Sequence, residues 1–364
     1  ATAQPIPDLT IDLFADKQYT SNLRETFRID QSDAITFNYE SLLGNTQGNF
    51  SMSTLMIKTF FSSGTQELSE NFESFKANRL TIANRLSAAR PELPADLDAN
   101  GFPQSYGKTS QQVLLASFIA AYTGVSPDKV GLSAFDKTPI PNWNMKYTGL
   151  MRLDWFKDHF TRFTISHGYR AAYSVNSYAT NLEKENSTFN PETLDVRPDY
   201  IFNNLVLNDE FNPLVRIDFE SKNNLSMLFE MKMDRALSMS FDNNLLTEIQ
   251  GKEFTLGLGY RIKDVQFVTN IGGAKQRLKS DLNIKADLSL RDNYTLIRNL
   301  ELDNTQVSAG QYFLSAKLRA EYALSQNLNA LFFYDFTFSK YAVSTAFPQS
   351  LINTGISLRY NFGN

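Results

Sequence analysis

Two histidines, His159 and His167, and no cysteine are all that the 364 residues offer to transition-metal or thiol chemistry. Disulfide frameworks, thiolate metal sites and cysteine nucleophiles are therefore excluded, and the redox compartment stays open. Ser166 stands beside His167, but neighbours on an extended strand point to opposite faces, so the two cannot serve each other as nucleophile and base. His167 shares its face with Phe163, Ile165 and Tyr169, a packing or aromatic-girdle position. No nucleophile, base and orienting carboxylate can be assembled from the motifs, so no enzyme is expected. One segment could hold a cation: Asp96-Leu97-Asp98-Ala99-Asn100-Gly101 opens like a calcium loop, with oxygen ligands at positions 1, 3 and 5 and glycine at 6. Position 12 is Gly107, where the bidentate glutamate should stand. Calcium on Asp96, Asp98 and Asn100 is weighed against a plain Asx-rich turn.

The remaining ionisable residues fall into stripes. Glu230, Lys232, Arg261, Lys285, Asp287, Lys317, Arg319, Glu321, Asp335 and Arg359 sit on the polar side of alternating segments and mix both signs. Lining a water-filled passage, such a mixture gives weak selectivity, which suits diverse polypeptides; for any single residue the simpler reading is solvation of a wet face. Overall, 35 Lys+Arg against 39 Asp+Glu give a formal charge of −4. With no basic surplus for a phosphate backbone, no nucleic-acid partner is expected.

The elements that carry these stripes are strands. In 282–290 the even positions are Leu282, Ile284, Ala286, Leu288 and Leu290, and the odd ones are Asn283, Lys285, Asp287 and Ser289. In 312–324 the even face reads Tyr312, Leu314, Ala316, Leu318, Ala320, Tyr322, Leu324 against Ser315, Lys317, Arg319 and Glu321. The same period of two recurs over 254–262, over 225–233, and over 143–152 with Met151 and Arg152 at its end. Polar turns at Ser221–Asn224, Lys263-Asp264, Arg291–Asn293 and Ser325–Asn327 predict antiparallel hairpins. Runs near 8–16, 20–30, 34–43, 49–61, 141–154, 161–179, 199–208, 211–221, 224–241, 245–263, 264–271, 281–291, 309–324, 327–338 and 350–362 make a meander of 13 to 15 strands. One block differs: within 64–138, Leu68, Phe72, Phe75, Ile82 and Leu86 recur at helical spacing. Thr109–Gln112 reads as a capping box opening a second helix that Gly124 stops, and Ser126-Pro127 opens a further turn. The expected organisation is barrel strands over 1–63, a helical insertion over 64–138, and barrel strands over 139–364.

Alternation alone fits a soluble sandwich as well as a membrane wall. Length separates them. Tyr312 and Tyr322 bracket an aliphatic band whose ten residues, at about 3.3 Å each and roughly 40° of tilt, span about 25 Å, the height of an outer-membrane apolar belt. Tyr312, Leu314, Leu318, Tyr322, Phe332 and Tyr334 are then the lipid-facing and girdle residues. Turning Lys317 and Arg319 outward instead would cost roughly 2–4 kcal/mol each near the midplane, so the charged stripe faces inward. No run is long and apolar enough for a helical span. The 29 Phe and 16 Tyr suit such a wall. The last strand, Asn353 to Phe362, carries Gly355, Leu358, Tyr360 and Phe362 in a pattern similar to the β-signal read by the bacterial barrel-assembly machinery. With no basic and apolar leader after Ala1, any signal sequence is expected to be already removed, or the chain to be a fragment.

Several stretches resemble a known family: TSQQVLLASFIAAYTG (109–124), IPNWNMKYTGL (140–150), FTISHGYRAAYSVNSY (163–178), FNPLVRIDFESKNNL (211–225), DRALSMSFDNNLLTEIQGKEFTLGLGYRIKDV (234–265), LKSDLNIKADLSLRDNYTLIR (278–298) and NTGISLRYNF (353–362). From about 109 to the end they are similar to the C-terminal part of the SprA (Sov) family, the giant outer-membrane translocons of type IX secretion in Bacteroidota. The resemblance implies an arc of a very large transmembrane β-barrel in a Gram-negative outer membrane. Through such a wall pass secreted proteins bearing C-terminal export signals, with a role in gliding motility. It also implies partners: the rest of the translocon barrel, a PorV-type barrel at a lateral opening, a periplasmic plug protein, cargo, and outer-membrane lipid. Two other readings remain: a self-contained barrel of about 14 strands for small solutes, in which the strand at Leu9, Ile11 and Leu13 pairs with 353–362, and a soluble β-rich adhesin or sugar-binding module.

Overall fold

The computed structural model describes residues 1–30, 38–42, 44–62, 69–135, 138–271, 274–325, 327–343 and 347–362. In chain order the elements are β1 (Thr2–Ala3), β2 (Leu9–Phe14), β3 (Lys17–Arg24), β4 (Phe27–Asp30), β5 (Asn38–Ser41), β6 (Asn45–Ser53), α1 (Ile57–Phe60), α2 (Glu70–Ala88), α3 (Gln111–Thr123) and β7 (Asn142–Tyr147). A 3₁₀ turn (Gly149–Arg152) and α4 (Asp154–His159) follow. Then come β8 (Phe160–Thr180), α5 (Glu183–Asn186), β9 (Tyr200–Phe202), β10 (Asn204–Ser221), β11 (Leu225–Ser240), β12 (Leu245–Ile271), β13 (Ala274–Asn299), β14 (Asn304–Ala323), β15 (Leu328–Tyr341) and β16 (Gln349–Tyr360).

Fourteen of these strands form one antiparallel sheet, with β8 and β10 to β16 in sequence order. On its other side β8 forks: its first half pairs with β7, which leads to β2 and β1, and its second half pairs with β6, which leads to β3. Beyond β3 and β6 the same hairpin continues as the small β4–β5 ribbon. The sheet is open. Among the described residues Leu9–Phe14 pairs with β7, and β16 pairs only with β15, so the pairing of 353–362 with the first strand that a self-contained barrel requires is not made.

The strands are longer than the turn signals implied. Lys263-Asp264 is no hairpin but a bulge inside the 27-residue β12, with Asp264 at φ 60° and the register slipping between Ile262 and Val265. The Asp264 amide donates to Asp281 Oδ1 at 3.1 Å, Lys279 pairs with Asp264, and Arg261 pairs with Asp281. These contacts hold the extra residues beside the partner strand, so the ladder resumes. Arg291–Asn293 likewise lies mid-strand, Asp292 directly opposite Lys252 on one side and Tyr312 on the other. Cross-strand partners outweigh the local turn preference there. The expected strands 199–208 and 211–221 run together as β10 across a bulge at 212–214, where Pro213 has no amide to give the ladder. Conversely, two expected strands stop early. The run 49–61 ends at Ser53 and turns into α1. The run 141–154 ends at Tyr147, and Met151 and Arg152 lie in the 3₁₀ turn. Of 34–43, the described strand is Asn38–Ser41, and Leu68 lies outside the described residues.

Between β6 and β7 stand α1, α2 and α3. Ser69 caps α2, its side chain accepting from the Phe72 amide, with Glu70 and Glu73 in the first turn where the helix dipole favours them. The expected capping box of α3 is not formed: Ser110 is the cap residue and makes no side-chain cap bond, while Gly124 ends the helix in the left-handed region at φ 70°. The turn after Ser126 is present, the Lys129 and Val130 amides both donating to the Ser126 carbonyl. Because α3 is apolar on every side, it is buried on every side. It lies with Phe75 of α2 against Phe118, ring centroids 5.6 Å apart, and in one core with Tyr169, Tyr173, Leu205, Leu207, Leu237, Met239 and Leu246 of the sheet. The insertion therefore covers one end of one sheet face.

Candidate functional site

The register sorts every stripe residue. Glu230 is opposite Thr255, Asp287 is opposite Gly257 and Lys317, Lys285 is opposite Arg319, Glu321 is opposite Asn283, Asp335 is opposite Lys317, Arg261 is opposite Asn283 and Arg359 is opposite Asn329. Directly paired residues share a face, so all ten predicted charged residues, with Lys232 two positions from Glu230, occupy the same one. Five of the ten, Glu230, Lys232, Arg261, Arg319 and Asp335, stand in ion pairs. Arg319 makes a two-pronged pair with Asp335 at 2.7 and 3.1 Å, and Glu230 receives both Arg216 and Lys232 at 2.9 Å. Arg216, Asp218 and Asp281 belong to this face and were missed by the sequence reading. Arg216 pairs with Asp218 as well as Glu230; the signal that could have found both is the alternation of Val215, Ile217 and Phe219 with Arg216, Asp218 and Glu220.

The opposite face carries the apolar set. Phe254, Leu290, Leu314 and Phe338 form one row; Leu256, Leu288, Ala316 and Phe336 the next; Leu258, Ala286, Leu318 and Tyr334 a third; Tyr260, Ile284, Ala320 and Phe332 a fourth. No charged residue interrupts these rows. Leu318 remains 37% and Phe332 40% exposed, and Tyr312 is exposed at the band's edge. Tyr322 differs from the other girdle candidates: it is 6% exposed, and its hydroxyl donates to the Val265 carbonyl at 3.0 Å, so it ties β14 to the β12 bulge. One further row bounds the band on the insertion side, Lys252 opposite Asp292, then Tyr312, then Lys340.

Past that row the face continues beneath the helices and changes character. Arg235 and Asp209, 4% and 0% exposed as side chains, form a two-pronged pair at 3.0 and 2.8 Å. Arg235 also donates to the Thr59 carbonyl and hydroxyl, and its guanidinium lies over the Phe60 and Tyr122 rings. Arg298 and Glu248 repeat the device at 3.0 Å, with Thr305 and the Phe72 ring as further partners. Burial pushes the Tyr122 hydroxyl well above its ordinary range.

At the C-terminal edge, Leu358 and Tyr360 point to the apolar face and Gly355 to the polar one, where the Phe333 ring covers it. A Cβ there would stand 2.8 Å from Phe333 Cζ, so any larger residue would displace the ring. Phe362 lies past the strand against Tyr360, centroids 4.7 Å apart. Asp98 spends Oδ1 on the amides of Asn100 and Phe102, at 2.7 and 2.8 Å, as an Asx turn does. The Gly107 amide, at the loop's twelfth position, donates to Asp195, whose carboxyl burial pushes up. Among the described residues no three His, Asp or Glu side chains converge as metal ligands. His167 is half-buried between Trp143 and Phe211, with Nδ1 2.7 Å from the Leu214 carbonyl.

Together these features define a class: an open antiparallel meander with one charged face, one apolar face, and a helical insertion on part of the apolar side. No family model matches the chain, and no curated protein does.

Proposed function

We propose that this chain is a section of the wall of a very wide outer-membrane channel that conducts proteins, of the type IX secretion kind its stretches resemble. Its apolar band meets lipid, and its charged face lines the aqueous passage. The observation that carries the reading is the complete separation of the ten charged residues from the uncharged rows over strands of up to 27 residues. A soluble sandwich strand is about five or six residues long and would bury its apolar face under a second layer. Here that layer covers only the insertion end. Among the described residues β16 pairs only with β15 and β1 only with β2; free backbone groups on such edges would cost several kcal/mol each in lipid, so the reading calls for further barrel strands to continue the sheet. The mixed signs on the charged face suit passage of chains of any composition, with cargo chosen by its export signal and driven by energy supplied elsewhere. A PorV-type barrel, a plug protein and outer-membrane lipid are the expected neighbours.

The test is extraction and imaging. Detergent-solubilised complex containing this chain, viewed end-on by electron microscopy, should show a ring much wider than fourteen strands enclose. Recovery of the chain as a detergent-free monomer in plain buffer would overturn the reading.

A further inference from the structure

The rim of the band away from the insertion is closed by a feature the alternation did not announce. After β7 the chain turns through the 3₁₀ segment into α4. There Trp155, Phe156, Phe160, Phe163, Phe219 and the His159 ring form one cluster with neighbouring centroids 4.7 to 5.9 Å apart. In spite of these contacts Trp155 is 59% and Leu153 54% exposed. The cluster is continuous with the band: Phe163 is opposite Phe219, Phe219 opposite Met227, and Met227 opposite Leu258. Asp154, Lys157 and Asp158 are exposed on α4, and the Lys222 amide is bound to the His159 carbonyl at the β10–β11 turn.

Resting on the wall reading above, we infer that this aromatic corner is an interfacial anchor that holds its end of the band at the lipid headgroups, and that the helical insertion stands outside the opposite leaflet. Tryptophan is enriched at that depth because its ring is apolar and its N–H is wet. The spacing agrees. From Phe160 to Tyr169, nine steps of β8 at about 3.3 Å and roughly 40° of tilt cover about 23 Å, close to the belt height of about 25 Å. Tyr169 is opposite Trp143, beside the insertion, so the only two tryptophans bracket the band. β16 ends beside the same rim as α4, since Tyr360 is opposite Leu328 at the β14–β15 turn. The C-terminal end of β16 and the insertion therefore lie on opposite membrane sides.

The experiment uses the complex containing this chain, in phosphatidylcholine vesicles. The difference in emission between the unaltered complex and Trp155→Phe reports Trp155; it should be quenched more by lipids brominated near the headgroup than by lipids brominated near the chain ends, and its maximum should be blue-shifted from that of aqueous indole. If that variant does not assemble, Trp155→Tyr gives the same difference. The absence of native cysteine allows nitroxide labels on Leu318→Cys, expected in hydrocarbon, and on Asn84→Cys of α2, expected in water. Trp155 quenched only by aqueous iodide, with the Leu318→Cys label in lipid, overturns the anchor and leaves the wall standing. A Leu318→Cys label in water overturns the wall itself. An Asn84→Cys label in lipid overturns the placement of the insertion.

Discussion

One face of β11 meets two different neighbours within sixteen residues. From Met239 to Arg235 it packs under α1 and α3; from Met231 to Leu225 none of the described residues outside the sheet covers it. Both halves alternate alike. They differ in what the alternate positions tolerate. Under the helices, Asp209, Arg235, Glu248 and Arg298 are buried among leucines, because protein on the far side supplies a threonine, aromatic faces and opposite charges. The open half holds no charge at all, as hydrocarbon would require, since a bilayer offers no partner for one. A charge buried in pairs marks a face covered by protein; an unbroken apolar row is what the proposed lipid contact would require.

The sharpest way to break this contrast is to strip one partner from the covered half. Asp209→Ala leaves Arg235 buried and uncompensated and should cost roughly 3–5 kcal/mol, whereas Asp209→Leu with Arg235→Met should cost little or even stabilise. Chemical unfolding of the three proteins checks this; equal losses from single and double variants would mean the pair is not the cause. Next in size is the open half. Leu318→Arg should cost roughly 2–4 kcal/mol in bilayers, while Lys317→Leu, one residue away on the other face, should be nearly silent. Refolding into vesicles measures both, and a reversal would exchange the two faces. Smaller again is the helical contribution to the covered half. Thr59→Val removes the hydroxyl that receives Arg235 at 3.2 Å and donates to the Tyr122 carbonyl. A loss of about 1.5 kcal/mol is expected, the low end for a hydrogen bond to a charged group, read as a lower unfolding midpoint with an unchanged slope.

Much of this was legible in the chain. Period-two alternation gives stretches of each strand from β10 to β16 and the face each residue takes, because in a strand the side of a residue follows from its parity alone; it divides β10 and β12 in two and stops β13 at 291. Helical spacing at Phe72, Phe75 and Ile82 and the stop at Gly124 likewise locate the insertion. What the sequence conceals depends on partners. Asp264 in a left-handed conformation could end a strand or bulge it, and the choice lies with Asp281 across the ladder. Arg291–Asn293 has the composition of a turn but is held extended by Lys252 and Tyr312. The aromatic corner was hidden because Trp155, Phe156, His159 and Phe160 share one short helical turn and its C-cap between two alternating runs; their rings meet one another there, and Phe219 of β10 adds contacts to Phe160 and Phe163. The inward carboxylate of Asp209 gives no local sign that Arg235, 26 residues away, is there to receive it.

The weakest expected effect falls on the charged face, and it separates a solvated wall from a selective one. Arg319 grips Asp335 with both prongs, yet its side chain is a third exposed and its partner about a fifth. A pair that water can reach contributes about 0.2–1 kcal/mol, so Arg319→Gln should shift stability by no more than that. Lys285, directly opposite, and Lys317, two residues away, keep the local sign. On the proposed function, protein export should therefore persist near its normal rate in Arg319→Gln. A severe export defect without a stability loss would mean that this guanidinium touches the traversing chain, and the charged face would then be a reading surface as well as a wetted one.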